Sequence, residues 1–293
     1  GSERSFTTAG NKFRRDAAVH WIRSQLPEGM KDQDFATLQE LVNATGRAPE
    51  DFLALARLLN ALTGRSSNRF LDKASPVLTP VFWAPRYAFS RFEAPLMMLP
   101  GVNKSKVIRN MALKDMLAYA AAVLTPLALI KMAGGEVETD PLSVDFGKGQ
   151  IWGIKFDFSA GEAINIRTIA QLIGTAESRS GGMGAVRLGS GRIIDKPRQE
   201  IIGDWFRAKL SPAPSIGASI VAGSDAIGRP VNDPLSIARA VAGSFLPMSP
   251  VDIFEAWQDV GPAAAVVVAP AVVLGIGAST YSGMAQANEK AAL

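Results

Sequence analysis

The chain has 293 residues, a formal net charge of +4, 47% hydrophobic and 20% charged side chains, no cysteine, and a single histidine, His20. That length admits one large domain or two ordinary ones and a sizeable buried core. Without cysteine there is no disulfide framework, thiolate zinc site or cysteine nucleophile, and one histidine argues against a multi-histidine metal site or an ordinary histidine triad.

Gly1-Ser2 in place of an initiator methionine reads as a cloning remnant or the start of an excised fragment, and no charged-then-apolar secretory signal follows. The small net charge conceals blocks. Arg57–Lys114 carries ten Lys/Arg against two acids, and Arg179–Pro214 carries seven against three. Asp115–Ser178 carries four against eight, and Ser215–Leu293 three against six. Basic blocks of this kind meet phosphate on nucleic acid or anionic lipid, or form a solvated surface with acidic neighbours.

Residues 3–26 read as an amphipathic helix, with Phe13, Ala17, His20-Trp21 and Ser24 recurring at three-to-four spacing and Pro27 ending the run. His20 is expected to pack or hydrogen-bond beside Trp21. A second helix is expected from Asp34 to about Thr45, stopped by Gly46. A third opens at Pro49-Glu50-Asp51, where proline and acids suit a first turn, and ends at Thr63-Gly64. Residues 1–48 are expected to form an N-terminal helical segment and residues 49–293 a helical core domain with an embedded β-hairpin, with one continuous domain as the alternative.

The next stretch holds Pro76, Pro80, Pro85, Pro95 and Pro100, so its helices are short or broken. Phe70, Phe82, Trp83, Tyr87, Phe89 and Phe92 interleave with Arg65, Arg69, Arg86 and Arg91. Three chemistries use that pattern: a single-stranded nucleic-acid surface, an interfacial membrane segment, and a core edge with cation–π contacts. Arg65, Arg69, Arg86, Arg91, Lys104, Lys106 and Arg109 are the candidate phosphate or lipid contacts. Val107–Met132 then reads as a long helix. Its uncharged run Met116–Ile130 is fifteen residues, short of a bilayer span and interrupted by Pro126, so the spacing predicts a buried core helix.

The period switches from helix to strand in Thr139–Glu162. Trp152, Ile154, Phe156 and Phe158 alternate with Gly153, Lys155 and Asp157, the pattern of a half-buried strand. Leu142–Asp145 is a strand candidate, and Gly147-Lys148-Gly149-Gln150 supplies the turn. The pattern predicts a β-hairpin near residues 142–158 in a mainly α, multi-helix domain. Its structural residues are Asp140, Asp145, Gly147, Lys148 and an inward Trp152. Asp140, Asp145, Asp157 and Glu162 flank it and offer carboxylates for a divalent cation in a hydrolase or nuclease-like site, or turn caps and partners for Lys148 and Lys155.

Gly161–Ile173 is expected to be a helix with Ile164, Ile166, Ile169-Ala170 and Ile173 turned inward. The glycine-rich Gly174–Gly191 lacks a Walker or dinucleotide pattern and reads as a mobile surface loop. Asp195–Leu210 is expected to be a helix stopped by Ser211-Pro212, followed by turns at Ile216–Ala222, a loop at Gly223–Pro230, and short helices at Pro234–Val241 and Pro250–Val260. Val260–Asn288 carries no charge. Its length would allow a span, its alanines and glycines make insertion only marginally favourable, and a buried helix is the competing reading.

Several short blocks occur in a fixed order: Thr63-Gly64-Arg65, Phe82–Arg86, Asp140-Pro141 with Asp145–Lys148, Gly161 with Arg167 and Gln171-Leu172, and Lys209–Pro212. Together they resemble a large-polyvalent-protein-associated domain, a segment of very long multidomain proteins of bacteriophages and other mobile elements. The resemblance implies a non-catalytic assembly or binding module without cofactors, carried in the virion or delivered to the host cell. Its expected partners are copies of itself or other virion and polyprotein segments, with DNA and membrane as further candidates. A metal-dependent enzyme and an inert polyprotein spacer are the other readings.

Overall fold

The computed structural model describes residues 2–82, 84–188, 191–223, 231–234, 236–238, 241, 253–254, 256–258, 260–273 and 276–279. The loop expected at residues 224–230, Trp83, and parts of the helices expected at 234–241 and 250–260 lie outside the described residues, as does the end of the uncharged run beyond residue 279. The fold is mainly α with small antiparallel sheets. It divides into two compact units, Gly1–Pro80 with Ala84–Tyr119, and Val81–Trp83 with Ala120–Leu293.

The first unit holds α1 (Ser2–Gln25), a 3-10 turn at Glu28–Met30, α2 (Leu38–Thr45), α3 (Pro49–Leu62), α4 (Arg69–Leu78), α5 (Pro85–Leu96) and the start of α6 (Lys106–Met132). Local chemistry sets the ends. The Thr37 hydroxyl accepts the Glu40 amide at 3.2 Å, and the Glu40 carboxylate accepts the Ala36 amide at 2.9 Å, so two orphan donors at the α2 N-terminus are satisfied. Pro49 occupies the first turn of α3, where its missing N–H costs nothing. α3 is the centre of this unit: Phe52, Leu55, Leu58 and Leu59 are buried with Trp21 of α1, Met97, and Ile108 and Ala112 of α6. The Trp21 and Phe52 rings meet edge-to-face at 5.9 Å. α1 therefore packs on α3 across residue 48. Phe13 faces solvent instead of the core, because only the Trp21 end of α1 meets α3.

The second unit contains the rest of α6, a four-stranded antiparallel sheet and a helical layer. β1 (Glu136–Val137), β2 (Lys148–Ile151), β3 (Ile154–Asp157) and β6 (Gly277–Ser279) pair in that order. α7 (Glu162–Ile173) and α8 (Ala176–Ser180) follow β3; then β4 (Gly184–Arg187) and β5 (Ile193–Lys196) form a second hairpin. α9 (Arg198–Arg207), α10 (Pro212–Ala222) and α11 (Pro262–Val273) complete the described helices. Ile130 of α6, Ile154 and Phe156 of β3, Ala264 and Val268 of α11, Ala278 of β6 and, ahead of α11, Ala256 form the core.

The expected hairpin exists, shifted along the chain. Its turn is Trp152-Gly153, both with positive φ (53° and 77°), the I′ geometry whose twist matches the flanking strands. Trp152 is therefore 70% exposed at a turn and not inward. Gly149 lies inside β2, opposite Phe156, because α6 crosses there: a Cβ on Gly149 would sit 2.7 Å from Ile130 Cδ1 and 3.0 Å from Leu127 Cδ2. This glycine marks a close approach, and alternation alone reads it as a turn. Leu142–Asp145 is irregular, with one parallel bridge between Ser143 and Arg187. The expected mobile loop after residue 174 contains α8 and β4, and the start of the expected Asp195 helix is β5. α11 has twelve residues and β6 follows it, so residues 260–279 do not form one spanning helix.

Gly149→Val tests the close approach. The added side chain meets Ile130 and Leu127, so the variant is expected to lose about 1–3 kcal/mol in urea unfolding, the usual cost of overpacking. An unchanged midpoint would remove the close-packing account of Gly149.

Candidate functional site

The segment from Asp140 to Lys148 is where the second unit's elements are tied together. Asp145 lies at its centre: its carboxylate accepts Lys148 Nζ at 2.8 Å and Lys155 Nζ at 2.5 Å, joining the loop to β2 and β3. Asp140 pairs with Arg187 of β4 and accepts the Leu142 amide at 2.9 Å. The Leu142 carbonyl takes the Arg187 amide at 3.0 Å and the Gln171 side chain of α7 at 3.0 Å. Arg167 of α7 donates to the Val144 carbonyl. Gly147, with φ 76°, turns the chain into β2.

These contacts account for the acids singled out in the sequence. Asp157 accepts the Ser159 amide at 2.8 Å and its hydroxyl at 2.6 Å, and Glu162 accepts Asn165 Nδ2 at 3.0 Å. Among the described residues no group of three or more metal-ligating side chains converges. The four carboxylates are thus distributed to separate lysine, arginine, serine and asparagine partners, and the shared cation site expected of them is not assembled. His20 is exposed on α1, away from the Trp21 side chain's buried packing.

The basic candidates separate into two classes. The Arg86 guanidinium donates to the Ser66 carbonyl at 3.2 Å. Arg109 donates to the Asn103 and Lys104 carbonyls at 2.8 and 3.0 Å, closing the turn ahead of α6. Arg91 lies 4.5 Å from the centre of the Tyr87 ring and donates to the Tyr87 hydroxyl. Those three hold the fold. Arg65, Lys104 and Lys106 are exposed, and Arg69 lies in α4. Partial burial lowers the pKa of the Arg14 guanidinium, and the nearby charge of Arg65 lowers it further. Arg14 is held by the Thr63 hydroxyl at 2.8 Å.

Two apolar surfaces are uncovered. α6 was expected in the core, yet only 6% of its most apolar stretch is buried. Ile108 and Ala112 anchor one end and Leu127 and Ile130 the other. Between and beside them Leu113, Leu117, Leu124 and Leu129 face outward, Leu117 and Leu124 more than 60% exposed. By length and composition this is the one described helix able to cross a membrane. The other surface is on α7. Its buried residues are Ala163, Asn165 and Gln171, and Ile166, Ile169 and Ile173 are about half exposed, the reverse of the sequence expectation. The reason is polar pairing: Asn165 accepts Trp205 Nε1 at 3.0 Å, and Gln171 reaches the Leu142 carbonyl. Hydrogen-bonded amides take the inner face, and the isoleucines are left outside.

The chain matches no protein-family model, no curated protein and no solved structure.

Asp145 is the residue whose titration reports on this site. Burial alone would raise its pKa, but the two ammonium groups of Lys148 and Lys155 outweigh that and hold it below the ordinary carboxylate value. A depressed folded pKa stabilises the protein above the unfolded value of about 3.9, and that contribution drains away as pH falls through the folded pKa. Asp145→Asn is expected to cost about 1.5–3 kcal/mol at neutral pH, the range for hydrogen bonds to charged groups. The difference from wild type should shrink as unfolding is repeated at progressively acidic pH; a difference independent of pH would refute the ion-pair account.

Proposed function

We propose that the chain is a non-catalytic assembly and binding module that engages a lipid bilayer through α6. The resemblance to segments of phage multidomain proteins supports this reading, under which such a module would act in the virion or in the host cell after delivery. The observation that carries the reading is the exposure of α6. A helix apolar around most of its circumference is stable in water only when buried, and the alternatives are a membrane or a partner. Its 27 residues extend about 40 Å at 1.5 Å per residue. The uncharged run of fifteen extends about 22 Å, which falls short of a ~30 Å hydrocarbon layer. Lys114 and Asp115 precede it and Lys131 follows it; the lysine stems can follow the apolar phase while the ammonium groups reach headgroups. Lys104 and Lys106, both exposed, stand immediately before the helix, where anionic headgroups attract them by about 1 kcal/mol each.

The distribution of acids favours binding over catalysis. Asp140, Asp145, Asp157 and Glu162 are each committed to a structural partner, and the single histidine is exposed on another helix.

Flotation of the whole chain with anionic and with neutral vesicles tests the reading. The protein is expected to rise with anionic vesicles at low salt, and less so as salt screens Lys104 and Lys106. Leu117→Glu with Leu124→Glu replaces exposed residues, so folding is expected to change by only about 0.5 kcal/mol while flotation is lost. A chain that stays at the bottom of the gradient with both vesicle types at low salt overturns the reading.

A further inference from the structure

α6 is uncovered on one side only. Ile108 and Ala112 are buried in the cluster around α3. Leu127 and Ile130 are buried at the other end of the helix, where it crosses Gly149 of β2. Met116, Tyr119 and Val123, all half-buried, stand between the two pairs. These positions follow one another at intervals of four, four, three, four, four and three residues. They therefore trace a single face of a helix with 3.6 residues per turn.

The opposite side is open. Lys106, Leu113, Leu117, Leu124 and Lys131 are exposed, and their intervals of seven, four, seven and seven place them on one line. Asn110, Ala121 and Ala128, also exposed, lie beside that line. The line is aliphatic in the middle and cationic at both ends. Asp115, the acid next to the uncharged run, stands two positions from both Leu113 and Leu117. That spacing turns it to the far side of the helix, where it is half-buried.

Such a helix cannot be surrounded by lipid, because protein already holds one face of it. The covered face lies on β2, whose Lys148 is paired with Asp145. Crossing a bilayer would draw that ion pair towards the hydrocarbon, or else strip Ile108 and Ile130 from their cores, and charge in hydrocarbon is costly. An apolar face with lysines at its ends and protein behind it matches a helix that lies in the plane of the membrane surface. The neighbouring charges select the lipid. From Ala94 to Lys114 the chain carries Lys104, Lys106, Arg109 and Lys114 and no acid. The three lysines are exposed and complement anionic headgroups.

We propose that α6 lies flat in one leaflet of an anionic membrane, burying the line of Leu113, Leu117 and Leu124, and that the chain binds from one side without crossing. Lys106 and Lys131, about 38 Å apart along the helix, then meet headgroups of the same leaflet. This inference rests on reading α6 as the membrane contact and fixes how that contact is made.

The chain has no cysteine, so single reporters can be placed at will. Leu113→Cys, Leu117→Cys and Leu124→Cys, each labelled with an environment-sensitive fluorophore, are bound to anionic vesicles. The vesicle lipids carry a quencher either near the headgroup or near the end of the acyl chain. A helix in the plane holds all three labels at one depth, about 5–10 Å into the interface. The shallow quencher is therefore expected to act more strongly than the deep one, in the same ratio at each position. A helix across the membrane separates positions 113 and 124 by about 16 Å along the normal. A quenching ratio that reverses between those positions overturns the flat arrangement and leaves membrane binding standing. Ala121→Cys and Ala128→Cys, at exposed alanines beside the line, repeat the measurement without removing a leucine. Protein that floats with the vesicles while no label is quenched puts the contact elsewhere and overturns the proposal together with the role of α6. Protein that does not float at all defeats the membrane reading itself, and the flat arrangement falls with it.

Discussion

The Asp145 carboxylate is held between two ammonium groups, one on the strand that begins the hairpin and one on the strand that ends it. Lys148 reaches it over one turn of chain, and Lys155 reaches it from the neighbouring strand. That arrangement fixes the irregular segment 140–147 against the sheet, and the segment in turn presents backbone groups to the helical layer. Leu142 and Val144 offer carbonyls to Gln171 and Arg167 of α7, and Asp140 pairs with Arg187 of the second hairpin. Partly buried ion pairs of this kind are worth little as isolated contacts. Here they act through position. If the loop slips, β4 loses its bridge and α7 loses the acceptors of two side chains.

The same dependence explains the inverted face of α7. A helix with isoleucines at 166, 169 and 173 would ordinarily bury them. It does not, because Asn165, Gln171 and Arg167 need acceptors and donors that the 140–147 loop and Trp205 supply. A buried amide without partners costs on the order of 1–3 kcal/mol. Rotating the helix to bury the isoleucines would strand two such groups together. The helix therefore satisfies its polar side and exposes its apolar one, and the exposed ridge is a product of the folding constraint that a partner surface can use.

These relations also mark what was legible in the sequence. Helices whose ends carry their own chemistry were readable: Pro49 and Gly46 bound α3 and α2, and Gly174 ends α7 where the apolar run ends. The hairpin was readable as a change of period, but its turn was not. Gly147 and Gly149 look more turn-like than Trp152-Gly153, and only the crossing of α6 over Gly149 shows why a glycine belongs inside β2. The second hairpin was hidden for a related reason. Gly184 also packs closely, with the Gln171 carbonyl and Ile201 where a side chain would be, so glycines that serve tertiary packing resembled a loop. Burial of α6 and α7 was misread because hydropathy records what a side chain would prefer, not whether the fold provides cover. Two of the short ordered blocks on which the family resemblance was read touch each other, and two others contact neighbouring backbone or rings within their own unit. Phe82 bridges Leu210, Ser211 bonds Val81 at 2.9 Å, Arg167 and Gln171 bond the 142–144 backbone, and Gly64 lies beneath the Tyr87 ring.

Two uncovered apolar surfaces on one chain need not have the same occupant, and their surroundings separate them. Around the uncharged run of α6 the charges are Lys104, Lys106, Lys114 and Asp115 before it and Lys131 after it. On the proposed bilayer reading those lysines would meet headgroups, whereas a protein groove would need acids in register with them. The trough that α7 forms with α9 is different in kind. It is short and open, and two arginines, Arg179 and Arg198, line it together with Ile169, Leu172, Ile173 and Ile202.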